Sequence, residues 1–312
     1  MKCNSGLAGN HRGTVITVGT FDGVHLGHQR VLEEIARRAR QADRRSVLVT
    51  FEPHPLEIVN PQAAPKLLTL GQERREILAQ SELDAVVFIQ FTRELSQRSP
   101  EEFIRLLLQR FNLKELVIGY DHGFGKGRAG DAQLLQQLGS RLGFAVDVVD
   151  EVDFEQRPVS STLVRRAVAG GDLDTARKLL GRAYSMTAAV VRGVGRGRSL
   201  GFRTINLALD NPRKLLPPDG VYAVRVEWAR SASGGMMHLG PRPTFSENVR
   251  SLEIHLFDWE GELYGHQVKM WWVKRLRDVR RFSSPHELQE QLAADLTNAK
   301  VALTRNAGFS NH

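Results

Sequence analysis

The chain has 312 residues, 41% of them hydrophobic and 25% charged, a balance that excludes disordered and fibrous classes. At roughly 100–200 residues per domain, it has the length for two domains that each bury a core. The net charge of +8 fits a protein that handles phosphates, nucleic acid or an anionic membrane, or one whose basic balance only aids solubility.

The positive charge is scattered in short groups, such as "RRAR" at 37–40 and "RLRDVRRF" at 275–282, which argues against nucleic acid as the main partner. A single cysteine, Cys3, leaves no intrachain disulfide and no thiolate zinc site, and a reducing cytoplasm is the expected compartment. The first residues lack the apolar core of an export signal, and no apolar run of about 18 residues is present to span a membrane.

From Thr14 to about Tyr184, short β-branched runs alternate with helical spacing. "TVITVG", "SVLVTF", "AVVFI", "LVIG" and "AVDVV" read as buried strands, while Gln29–Ala42 and Pro100–Phe111 read as helices. Such alternation implies βαβ units and a parallel sheet covered on both faces. Beyond "RGVGRGRSLGF" the texture changes to period two in "YAVRVEW", "LEIHLF" and "HQVKMWWV", as in half-buried antiparallel strands. "SPHELQEQLAADLTNAKVALT" closes the chain as a helix, and 241–250 reads as a loop. The expected architecture is an α/β domain over 14–184, followed by a mainly β domain, a barrel or sandwich, with a closing helix over 185–304.

The stretch "VGTFDGVHLGHQRVL" at 18–32 joins the first strand to its helix. In open α/β sheets ligands bind at the carboxyl edge, where helix N-termini offer unpaired N–H groups to phosphate. His25 and His28 share one face of the first helical turn, and Gly27 between them leaves room for a ligand. Two imidazoles there suit hydrogen bonds to nucleotide phosphates and stabilisation of charge on a departing pyrophosphate. No P-loop is present, and "GVGRGRSLG" at 193–201 is no dinucleotide fingerprint.

The H-x-G-H pair resembles the signature of the nucleotidylyltransferase superfamily. "TFEPHP" at 50–55, "VIGYDHGFGKGRAGD" at 117–131 and "RPVSSTLVRRAVAGGDLDTARKLLGR" at 157–182 are similar, in order and spacing, to the adenylyltransferase half of the bacterial bifunctional riboflavin kinase/FAD synthetases. "GRGRSLGFRTINL", "PDGVYAV", "GPRPTF", "LEIHLFD" and "LYGHQVKMWWVKRLRDVRRF" resemble the kinase half, so the likeness covers about residues 14–300. It implies a Rossmann-like parallel-sheet domain and an antiparallel β-barrel kinase domain. It also implies ATP, riboflavin and FMN as substrates, and Mg2+ or Mn2+ as cofactor.

In the first domain the resemblance implies His25, His28 and Arg165 as catalytic residues. Gly19, Phe21, Asp22, Gly27, Ser160, Ser161 and Thr162 become ATP contacts, although the hydroxyls of "SSTLVR" also suit a helix start. Asp121, Phe124 and Arg128 would meet the flavin, by hydrogen bonds and ring stacking, or else form a turn around one buried aromatic. His54, between two prolines, sits on an implied substrate-contacting loop.

In the second domain Thr204 and Asn206 carry neutral oxygens of the kind that suits magnesium, with the resemblance supplying most of that assignment. Glu253, on one strand face with His255 and Phe257, becomes the general base for the riboflavin 5′-hydroxyl. Arg198 in "GRGR" and Arg275 offset phosphate charge or lie on solvated faces. Three positions depart from the family: Arg203 stands where proline is usual, Ile205 where alanine is usual, and His238 where asparagine is usual, before "RPTF". A flexible residue in place of proline is expected to loosen the magnesium site.

Three readings follow: the bifunctional enzyme, with small-molecule substrates, no membrane role and scope for a transient homo-oligomer; an FMN adenylyltransferase, or a nucleotidylyltransferase of another substrate, with a degenerate kinase domain; and a non-catalytic basic nucleic-acid-binding protein. The separation of the tryptophans from the arginine groups counts against the last.

Overall fold

The computed structural model describes residues 12–119, 131–193, 202–209, 211–241 and 250–305. Asp121, Phe124, Arg128 and Arg198 lie outside the described residues, as does Cys3. The chain divides into two compact units, residues 1–161 and 162–312.

The first unit runs β1 (Thr14–Val18), α1 (Leu26–Gln41), β2 (Arg45–Glu52), α2 (Pro55–Val59), α3 (Gly71–Leu78), β3 (Ala85–Gln90), α4 (Arg93–Gln97), α5 (Pro100–Phe111), β4 (Leu113–Gly119), α6 (Ala132–Leu142), β5 (Ala145–Val149) and the short pair β6 (Asp153–Phe154) and β7 (Arg157–Pro158). The five strands expected from sequence form one parallel sheet in the order β3-β2-β1-β4-β5. Alternate residues feed two cores. Ile16, Val18, Val47 and Val49 join Phe103, Ile104, Leu107 and Leu135 on one face. Val15, Leu48 and Val117 meet Leu32, Ile35 and Leu78 on the other. Burial on both faces is why these strands are apolar throughout.

Local chemistry sets the helix ends. Ser99 accepts from the Glu102 amide, Glu102 accepts from the Ser99 amide, and Pro100 opens α5, which stops at the left-handed Asn112. On α1, Arg38 bonds Glu34 at 2.6 Å and Glu115 of β4 at 2.7 Å, and pairs with Asp147 of β5. Hydrogen bonds from Arg37 and Arg38 hold the Glu34 carboxyl down to about 2.

The chain continues through α7 (Ser161–Gly170), which begins at the division, α8 (Leu173–Leu180), β8 (Ser185–Val191), β9 (Ile205–Leu207), β10 (Gly220–Trp228), β11 (Ser231–Pro241), β12 (Arg250–Leu256), β13 (Gln267–Arg277) and α9 (Pro285–Arg305). These strands close into a barrel, β10-β11-β12-β9-β8-β13, with antiparallel pairing throughout. Leu252, Ile254 and Leu256 point inward, and α9 lays Ala299 and Ala302 on Val221, Ala223, Met236 and Phe257 outside. Pro241 and Arg250, the ends of the expected loop, close β11 and open β12, and the residues between them lie outside the described set.

One buried ion pair fastens α9 to the barrel. Asp295, 1% exposed, accepts from Arg277 Nε at 2.9 and 3.0 Å, from its Nη2 at 2.6 Å, and from Gln291 at 2.7 Å. Removing one partner of a buried pair strands the other charge, at a cost of about 3 kcal/mol. Asp295→Ala is therefore expected to lower the unfolding free energy of the second unit in urea by that amount, whereas alanine at the exposed Glu290 of the same helix leaves it nearly unchanged.

Candidate functional site

In the first unit the chain leaves β1 at the carboxyl edge, beside the switch in strand order between β1 and β4. Gly19 donates to Val49 O at 3.1 Å, Phe21 and Val24 adopt positive φ, and His25 caps α1. The His25 Nδ1 accepts from the His28 amide at 3.3 Å, which puts the ring proton on Nε2. The two imidazoles stack with centroids 3.6 Å apart, and Phe21 lies 4.5 Å from His28. A Cβ on Gly27 would stand 3.3 Å from both the His25 ring and Val159 O, so glycine permits this closeness.

Ser161 opens α7 and donates to Asp22 O at 2.9 Å. Ser160 is half-buried; Thr162, exposed, and Arg165, half-buried, follow on α7 and belong to the second unit. The hydroxyl of Ser161 thus braces the turn, a role that a helix start and a nucleotide contact can share. The buried Asp22 carboxylate accepts from Leu68 N at 3.0 Å, and from Thr69 N and Oγ1 at 2.9 and 3.1 Å. His54 has a structural task as well: it accepts from Leu56 N at 3.2 Å and caps α2.

Sequence reasoning missed Arg74, which is 5% exposed. Its guanidinium donates to Thr20 O at 2.7 Å and Phe51 O at 2.8 Å, spanning the carboxyl ends of β1 and β2. Burial lowers its pKa, and among the described residues it forms no ion pair. "GQERREIL" looks like an ordinary charged helix, and the one available signal is the four-residue spacing from Arg74 to Leu78, which puts both on the buried face of α3.

The second unit holds a different set. Asn206 of β9 faces Glu253 of β12, which faces His238 of β11, which in turn faces Val221 of β10 and then Arg277 of β13. Directly opposed residues share a sheet face with Cβ atoms about 5 Å apart, so carboxamide, carboxylate and imidazole form one row outside the barrel. A Cβ on Gly193 would collide with the Asn206 carboxamide, so a glycine there makes room for it. Thr204 sits immediately ahead of β9, half-buried, while Asn206 is 6% exposed. Neutral hydroxyl and carboxamide oxygens beside a carboxylate are a donor set that fits a hard divalent cation.

Arg275 is no solvated residue. It donates to Asp219 O at 2.8 Å and to the Tyr222 hydroxyl at 3.3 Å, and so braces the turn before β10. Arg203 is likewise anchored, to Glu260 O at 3.2 Å and Glu262 at 3.3 Å, so the looseness expected of a residue replacing proline meets a counterweight. Burial pushes the His238 pKa down, against the pull of Glu253, and the ring is neutral at pH 7.

Two outcomes are expected. Arg74→Met removes the guanidinium's bonds to two carbonyls, leaving Thr20 O with Thr50 alone, and should lower the stability of the first unit by about 2 kcal/mol in urea unfolding, with Arg74→Lys intermediate. Folding favours the neutral His238 ring, so its contribution is complete above pH 6.5 and is lost as pH falls through the depressed folded value. Melting curves of His238→Asn between pH 7.5 and 5 should accordingly be less acid-sensitive than those of the parent chain.

The FAD synthetase family model matches residues 7–163 and the riboflavin kinase model residues 180–303. A bifunctional riboflavin kinase/FMN adenylyltransferase of Pseudomonas fluorescens is 35% identical over 96% of this chain and 96% of its own. Those of Escherichia coli K12 and Bacillus subtilis are 36% and 33% identical, over 92% of this chain and 92% and 91% of theirs. A solved structure from Streptococcus pneumoniae, described as a macrolide-efflux protein, aligns with TM-score 0.85 and 30% identity over 94% of this chain and 95% of its own. No helix among the described residues is long and apolar enough to cross a membrane. With both halves matched in order and full-length relatives above 30% identity, the chain belongs to the family of bifunctional riboflavin kinase/FMN adenylyltransferases.

Proposed function

We propose that the protein phosphorylates riboflavin to FMN with one ATP and adenylylates FMN to FAD with a second, releasing pyrophosphate. The observation that carries this reading is that each unit holds its own chemically distinct set. Stacked imidazoles at a helix start suit an anion, and a carboxylate between a carboxamide and an imidazole suits proton removal. We take the functional boundary between Tyr184 and Ser185, where β8 begins the barrel.

In the kinase step Glu253 takes the proton of the riboflavin 5′-hydroxyl as its oxygen attacks the γ-phosphorus of ATP, and ADP leaves. Thr204 and Asn206 would hold Mg2+ or Mn2+. The cation, when bound, offsets phosphate charge. In the second step an FMN phosphate oxygen attacks the α-phosphorus, the bond to the β-phosphate bridging oxygen breaks, and pyrophosphate departs. In this reading His25 and His28, with Arg165, stabilise the charge that develops, while Ser160, Ser161 and Thr162 hold the triphosphate. Asp121, Phe124 and Arg128 receive the flavin of FMN in this reading, and Arg198 the nucleotide of the kinase step. The cytoplasm, which supplies ATP, is the compartment we assign, and self-association, transient where it occurs, is readable by light scattering.

His28→Ala should lower FAD formation on the order of a hundredfold while FMN formation continues. Glu253→Gln should do the converse, by a similar factor. Chromatography of products from riboflavin, ATP and magnesium, and from FMN in place of riboflavin, reads both. FAD from FMN without FMN from riboflavin in the parent chain would instead favour a degenerate kinase domain.

A further inference from the structure

We propose that His255 is a positioning residue for the kinase reaction: it fixes the Thr204 and Asn206 oxygens by latching the carbonyl of the residue just before them. The inference rests on the reading of those two side chains as the metal-holding pair.

The His255 Nδ1 lies 2.9 Å from Arg203 O. A carbonyl only accepts, so Nδ1 carries a proton and donates. The same ring stands edge-on to Phe202, with centroids 5.1 Å apart at 69°, and to Phe257 at 6.0 Å and 60°. One side chain therefore holds two successive residues, Phe202 by its ring and Arg203 by its carbonyl, immediately ahead of Thr204. The Arg203 guanidinium is tied at its far end to Glu260 and Glu262, which completes the restraint.

The need for a latch follows from the brevity of β9. It has three residues, paired with Leu252, Glu253 and Ile254 on one side and with Val190 and Val191 on the other. Thr204 falls outside that ladder, so the direction of its hydroxyl depends on the backbone at Arg203. Proline would fix that backbone by its ring. Here a hydrogen bond from β12 does so, and β12 also carries Glu253 two residues earlier on the same face. One strand thus sets both the carboxylate and the oxygens that hold the cation, much as outer-layer partners orient metal ligands elsewhere.

The test compares His255→Leu with His255→Asn in the full chain, because the asparagine amide nitrogen can stand where Nδ1 stands. Calorimetric titration with Mn2+–ADP should show two classes of site, one per unit. In the leucine variant one class weakens about tenfold and the Mg2+ concentration for half-maximal FMN formation rises by the same factor, with FAD formation from FMN unchanged. The asparagine variant should recover most of the loss. Parent-like Mn2+–ADP binding in the leucine variant, or an asparagine variant as weak as the leucine one, would overturn the latch. If the leucine variant fails to melt cooperatively, His255→Gln, whose amide reaches too far, replaces it with the same weakening expected. Asn206→Ala separates the two layers of the argument. Unchanged binding there defeats the metal-holding assignment itself, whereas weakened binding beside an unaffected leucine variant defeats the latch alone.

Discussion

The buried carboxylate of Asp22 is the constraint on which the first unit's site depends. By accepting from the amides of Leu68 and Thr69 and from the Thr69 hydroxyl, it ties the turn after β1 to the segment that leads into α3. Gly23 N donates to the same threonine hydroxyl at 3.0 Å, and Thr20 O accepts from both Thr50 and Arg74. Against this frame the positive φ of Phe21 and Val24 persists in non-glycine residues, and the histidine stack gets its fixed starting point. Without the carboxylate, three buried donors would lose their acceptor at once.

Two histidines in this chain illustrate how one residue type is set to opposite tasks. His25 accepts at Nδ1 from an amide, so its ring proton sits on Nε2. His255 donates at Nδ1 to a carbonyl, so its proton points into the protein. The first arrangement caps the start of a helix; the second locks a backbone. Neither is visible in the sequence, where each is a histidine beside apolar residues.

Much of the architecture was legible. The strands β1 to β5 announced themselves because burial on both faces demands unbroken β-branched runs, and α5 because a capping serine, a proline and a glutamate sit at the required spacing. The H-x-G-H pair was legible for a similar reason, since its spacing on a helix start is itself the geometry. What stayed hidden depends on distant residues. β11 carries Gly234 and Gly235, and only the fold shows what they serve: a Cβ on the first would stand 2.7 Å from Leu303, and on the second 2.9 Å from Ile254. Asp22 and Arg74 serve backbone groups up to 54 residues away in sequence, and no local pattern encodes such partners. The row from Asn206 to His238 likewise needed the barrel's register before its members could be seen as neighbours.

The charge cluster around Arg38 has a bearing on how the protein survives in a crowded solution. A closed barrel has no strand edges to offer, but the parallel sheet ends at β3 and β5, each paired with a sheet neighbour on one side only. β5 carries Asp147 at its middle, in an ion pair with Arg38 and close to Glu115 on the neighbouring strand. A foreign strand docking on that edge would have to strip water from these charges without replacing their partners. The same salt bridges that fasten α1 to the sheet thereby discourage edge-to-edge polymerisation, a protection that no apolar contact of equal strength would provide.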